Sequence, residues 1–96
     1  MKKINQEDVI EQLLKFPEWR LENGCLTREF KFTSFAQSVA FFNCVARIAE
    51  KLNHHPDLFN SYTYCQIKLM THDCNGISDL DFEFIRMLAK DLLKEH

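Results

Sequence analysis

An antiparallel β-sheet with helices packed on one face is the fold that three features of this chain predict. Apolar residues recur at helical spacing near the start, in the middle and at the end of the sequence, and at alternating spacing in between. An Asn23-Gly24 pair separates two of the alternating segments. Only two glycines and two prolines occur in 96 residues, so most of the chain belongs to regular elements and each of the four marks a boundary. The resulting order is helix, strand, strand, helix, extended piece and strand, helix, which suits an antiparallel sheet covered on one side.

Residues 6–16 carry Val9, Ile10, Leu13 and Leu14 at the spacing of a short amphipathic helix, closed by Pro17. Trp19-Arg20-Leu21-Glu22 alternates apolar and polar, and alternation resumes through Leu26, Phe30 and Phe32. Asn-Gly between such runs predicts a tight hairpin, because both residues tolerate positive φ. Residues 34–53 return to the helical period. Phe35, Val39, Phe42, Ala46 and Ala49 form one stripe, and Phe41, Val45, Ile48 and Leu52 a second about 100° away. Gln37, Asn43, Arg47, Glu50 and Lys51 fill the remaining arc. The apolar face is wider than one small sheet can cover, so burial on a second side, most simply in an oligomer, is expected. After His54-His55-Pro56 and a short extended piece, residues 62–71 set Cys65, Ile67 and Leu69 against Tyr64, Gln66 and Lys68, the pattern of a strand. Gly76 separates it from a last helix over residues 79–94, with Phe82, Ile85, Leu88, Ala89, Leu92 and Leu93 inward.

Size and charge narrow the function. The length suits one domain over residues 1–96, and 46% hydrophobic residues supply a core. Twelve Lys and Arg against fourteen Asp and Glu give a net charge of −2, too little positive charge for a binder of phosphate backbones, so nucleic acid is not an expected partner. Cys25, Cys44, Cys65 and Cys74 form no C-x-x-C pair, and Cys44 and Cys65 lie in apolar runs, so all four read as reduced thiols. The first residues lack the apolar run of a secretory signal, and no stretch is long enough to span a membrane. A cytoplasmic protein is expected.

The informative residues are polar ones that break the pattern. His54 and His55 fall where the long helix must stop, since Pro56 disfavours helical geometry just before it. At such a junction both imidazoles can face one cavity. His72 lies at the far end of the long strand, and Asp81 falls in the apolar stripe of the last helix, within about 20° of Leu88 and Leu92. Each has a bland explanation. Ser78 with Asp81 three residues on fits a helix capping box. A histidine at a helix end often only caps it, Glu50-Lys51 passes for solvated charge, and Trp19 and Phe30 are most simply core.

Three histidines admit two chemistries. With an unperturbed pKa near 6.5, a pair of imidazoles offers one base and one acid at neutral pH, suited to dehydration or tautomerisation. Alternatively, His54, His55 and His72 with Cys74 or Asp73 hold enough donors for zinc. Adjacent histidines are awkward to aim at one ion and no H-x-x-x-H spacing occurs, so metal is disfavoured. Nucleophilic cysteine catalysis is weaker still.

The run Glu50-Lys51-Leu52-Asn53-His54-His55-Pro56, then five residues to Tyr62, nine to His72 and eight to Asp81, resembles the signature of the pterin-4a-carbinolamine dehydratases. Trp19, the segment from Leu26 to Phe32, the helix from Phe35 to Ala49 and Thr71-His72-Asp73 are similar to that family too, so nearly the whole chain is covered. The resemblance implies an α+β fold, an antiparallel four-stranded sheet with three helices on one face in the order α-β-β-α-β-β-α, assembled as a dimer or a dimer of dimers.

It also implies an activity: a hydro-lyase that removes water from the 4a-hydroxytetrahydropterin left by aromatic amino acid hydroxylases. The product is quinonoid dihydropterin, formed without metal or organic cofactor in pterin recycling. His54, His55 and His72 are then the catalytic candidates, with the proton roles not divided among them. Glu50, Pro56, Asp81, Trp19 and Thr71 are candidates for binding or orienting the pterin or the histidines. Some members of the family double as dimerisation cofactors for a transcription factor, so a binding module is the alternative reading. The chain departs from the family where Phe59 stands in for an aromatic residue that is often Trp, where Asn75-Gly76 replaces a Gly-Gly or Ala-Gly pair, and at Leu80, where a polar residue is usual.

Overall fold

Asn23 and Gly24 both take positive φ, 51° and 80°, as a two-residue turn matched to the twist of a hairpin requires. In the computed structural model, which describes residues 2–94, this turn joins β1 (Arg20–Glu22) to β2 (Cys25–Lys31). The other elements are α1 (Gln6–Leu13), α2 (Phe35–Leu52), β3 (Asp57–Ser61), β4 (Tyr64–Leu69) and α3 (Asp79–Lys94), with a short 3-10 turn at His72–Cys74. The four strands form one antiparallel sheet in the order β1-β2-β4-β3. The α+β architecture with three helices is as expected, and the extended piece after Pro56 is the edge strand β3.

The register explains which face is covered. Leu26 lies opposite Leu69 and Phe30 opposite Cys65, while Ile67 faces Arg28 on one side and Leu58 on the other. Cys65, Ile67 and Leu69 are fully buried, alternating with half-buried Tyr64, Gln66 and Lys68. Phe41, Val45 and Ile48 of α2 and Phe82, Ile85 and Leu88 of α3 bury into the same core as these inward strand residues. Each such side chain contributes about 1.5–3 kcal/mol by leaving water. Arg28 shares the inward register, with its guanidinium 4.2 Å from the centre of the Phe30 ring, and burial pushes it below the usual arginine value.

Two expectations about helices, the end of α1 and the inward residues of α3, are corrected. α1 ends at Leu13, because Leu14, Lys15 and Phe16 form tighter bonds to residues three back, and only Val9 of its stripe is fully buried while Ile10 and Leu14 are exposed. In α3, Ala89 and Leu93 are exposed and Phe84 is fully buried. This helix packs on α2 and also meets Phe16 through Phe82, so its buried arc is broader near its start than one stripe and narrower towards its end. In α2 the stripe through Phe41, Val45 and Ile48 is buried, whereas Phe35 and Val39 of the other stripe face solvent in the single chain. No described helix is long and apolar enough to cross a membrane.

Candidate active site

His54 is placed by the way α2 ends. Asn53 adopts the left-handed conformation (φ 49°, ψ 46°), its N–H bonds to the Glu50 carbonyl, and the His54 N–H bonds back to Ala49 at 2.9 Å. This pair of bonds is a Schellman cap, with Pro56 just beyond it, so the reversal at Asn53 rather than the proline itself stops the helix. The reversal turns His54 inward. It is 8% exposed, and its Nε2 meets Asp81 Oδ1 at 2.5 Å.

Asp81 lies in the first turn of α3 and is fully buried. Its second oxygen, Oδ2, accepts the Thr71 hydroxyl at 2.8 Å and the Ser78 backbone N–H at 3.0 Å. The latter bond is the capping box expected from the sequence, completed by the Leu80 N–H on Ser78 Oγ at 3.3 Å. Capping and pairing with histidine therefore use different oxygens of one carboxylate. Since Oδ2 already accepts two donors, the proton shared by the pair lies on the Oδ1 side, between Asp81 and His54.

Thr71 is held in a small loop after β4. Its N–H bonds to the Gly76 carbonyl at 2.7 Å, and the 3-10 turn between them closes on Asn75, which takes φ 52°. That turn carries His72, which is exposed beside Thr71 in the chain.

The two adjacent histidines do not share one environment. His55 is exposed, and its Nε2 lies 2.7 Å from Glu50 Oε2, itself exposed. Thus His54, Thr71 and Asp81 are joined by hydrogen bonds, His55 is paired with Glu50, and half-buried Pro56 follows in the connection to β3. Trp19 is 5% exposed within the hydrophobic core. Ser78, fully buried at the centre of the network, was legible in the sequence only as a cap.

Other chemistry finds less support. Burial pushes the Cys25 and Cys65 thiols up, away from the thiolate a nucleophile needs. Among the described residues no three His, Cys, Asp or Glu side chains are grouped to hold a metal ion. A groove of about 850 Å³ runs between the N-terminal segment, the β1–β2 turn and Gly76-Ile77, but neither histidine nor carboxylate side chains line it.

Residues 2–90 match the family model described as pterin 4 alpha carbinolamine dehydratase. A relative from Metallosphaera sedula, named after the same dehydratase, is 39% identical over 92% of each chain. One from Prochlorococcus marinus, likewise named, is 42% identical over 81% of each. Among solved structures, a protein described as a transcriptional coactivator/pterin dehydratase from Brucella melitensis superposes with a TM-score of 0.87 at 32% identity, covering 93% of this chain and 97% of its own. A pterin dehydratase-like protein described as a RuBisCO assembly factor of the alpha-carboxysome gives a TM-score of 0.64 at 28% identity, covering 75% and 87%. With the family model spanning nearly all of it and relatives this similar along most of their length, the chain belongs to the pterin 4 alpha carbinolamine dehydratase family.

Proposed function

We propose that this protein dehydrates a 4a-hydroxytetrahydropterin to the quinonoid dihydropterin, with His54, His55 and His72 as the acid and base groups. The reaction breaks the bond from C4a to the hydroxyl oxygen, which leaves as water after taking a proton. A second proton departs from N5 as the C4a–N5 double bond forms, so the reaction needs one donor and one acceptor near the ring and no net change in protons on the protein. The observation that carries the reading is the buried bond between His54 and Asp81. With Nε2 tied to the carboxylate, His54 Nδ1 is left to exchange a proton, and every fully buried side-chain nitrogen or oxygen among the described residues has a partner, so this unbonded nitrogen reaches the surface. His72 lies one residue from the same network, while His55 and Glu50 form an exposed pair suited to the polar edge of a pterin. Pro56 and Trp19 are assigned to shaping the site.

The test is to follow the absorbance of the 4a-hydroxy species with and without the protein. Acceleration is expected, and a His54→Ala, His72→Ala double variant should lose about 10²–10⁴-fold. No acceleration, or full activity in the double variant, overturns the reading.

A binding-module role is the second reading. It is favoured by exposed Phe35 and Val39 on α2 and by the coactivator description of the Brucella structure. The same face suits self-association into a dimer or tetramer. Recovery of a helical partner with a chain inactive on pterin would support the module over the enzyme.

A further inference from the structure

We propose that Ser78 is a positioning residue that sets the relative placement of His54 and His72 through one hydroxyl; the inference rests on the dehydratase reading above. Counting protons fixes the direction of the network. Thr71 has a single hydroxyl proton, and it is donated to Asp81 Oδ2 at 2.8 Å. The 2.7 Å contact between Thr71 Oγ1 and Ser78 Oγ must then be a bond donated by Ser78. Ser78 Oγ in turn accepts the Leu80 N–H. The chain of donation therefore runs from the α3 backbone through Ser78 and Thr71 to Asp81, whose other oxygen holds His54.

Ser78, Thr71 and Asp81 are 0%, 4% and 0% exposed, so water does not substitute for a missing member without rearrangement. The Ser78 hydroxyl reaches both histidines by different routes. Through Thr71 and Asp81 it holds the carboxylate plane that aims Oδ1 at His54. Through Thr71 alone it anchors the residue from which the turn carrying His72 departs. Capping accounts for the Ser78 N–H on Asp81 and the Leu80 N–H on Ser78 Oγ, but the bond to Thr71 lies outside it.

Substitution separates the two duties. Gly is nearly as good an N-cap as Ser and keeps the backbone N–H, but has no hydroxyl, whereas Thr keeps both. Two readouts are needed. The first is the far-downfield imidazole proton of the His54–Asp81 bond in the ¹H NMR spectrum, which requires no pterin. The second is the split between kcat and KM for dehydration. Ser78→Gly, folded as judged by native Trp19 fluorescence, should lose or shift the resonance and lower kcat about tenfold, with KM changed by less than about twofold, because a misplaced group costs rate more than binding. Ser78→Thr should retain the resonance and recover most of the rate. An unchanged resonance in Ser78→Gly overturns the proposal. So does equal impairment of folded Ser78→Gly and Ser78→Thr. If the unsubstituted protein turns over no pterin, the dehydratase reading falls, and the resonance alone still decides whether Ser78 positions His54.

Discussion

Asp81 shows how one side chain supports structure and site together: Oδ2 closes the first turn of α3 while Oδ1 fixes an imidazole from the far end of α2. Exposed charge behaves differently. On the outer face of the sheet, Arg20 grips Glu29 through two bonds of 2.7 and 2.6 Å, and Gln66 adds a third at 3.0 Å. These donors, Arg20 first, hold the Glu29 carboxyl down at about 2, against an ordinary 4.5. A carboxyl whose value is lower in the folded chain stabilises it fully above the unfolded value, and that contribution fades as pH falls from 4.5 towards 2. Glu29→Gln should therefore lower the urea midpoint slightly at pH 7 and narrow its difference from the parent as the pH drops through this window. A difference that grows on acidification would contradict the assignment, and the effect is small because the pair is partly solvated. The sequence exposed Asp81 as an acid in an apolar stripe, and it exposed the histidines by their clustering. It could not assign their partners, because these depend on which oxygen of Asp81 faces α2 and on the handedness of the single residue Asn53.

At the scale of elements, Asn53 is where a local conformation decides a long-range contact. An asparagine tolerates the left-handed region, whereas alanine there costs about 1–2 kcal/mol. Asn53→Ala should destabilise the protein by about that amount in urea unfolding and weaken dehydration by moving His54 off Asp81, while Asn53→Gly should leave both nearly intact. Equal effects of the two substitutions would show that the amide side chain, not the backbone reversal, holds the cap. Elements with a strong local signal were legible. The β1–β2 hairpin follows from Asn23-Gly24, and α2 follows from its helical period; the bond from the Gln37 N–H to the Ser34 side chain, which caps α2, is seen only in the structure. The insertion of β4 between β2 and β3 was not legible, since no local signal states that a strand pairs with one from earlier in the chain. Phe84 was missed for a related reason. A helix wedged between neighbours buries residues outside its main stripe, and the neighbours are known only once the fold is.

At the scale of the whole molecule, apolar surface remains where α2 and the edge of the sheet meet. Phe35 is 54% exposed and Tyr62 70% exposed, and their rings stack at 6.3 Å, linking the start of α2 to the β3–β4 turn. Val39 extends this surface along α2, while Phe59, opposite Gln66 in the register, lies on the outer face of edge strand β3, against Tyr64. Exposed aromatic and aliphatic side chains grouped in this way are uncommon on a small chain unless something covers them, and an edge strand invites pairing. A second copy can cover them because a two-fold arrangement sets the same apolar surface against itself. The protein should therefore sediment as a dimer or tetramer at micromolar concentration, and Phe35→Lys with Val39→Lys should shift it to monomer without loss of helical signal, since neither side chain belongs to the buried core. A monomer before substitution would remove the case for self-association and leave the exposed face to a different partner. An oligomer untouched by the two lysines would place the interface elsewhere, with exposed Ile10 and Leu14 of α1 the next surface to test.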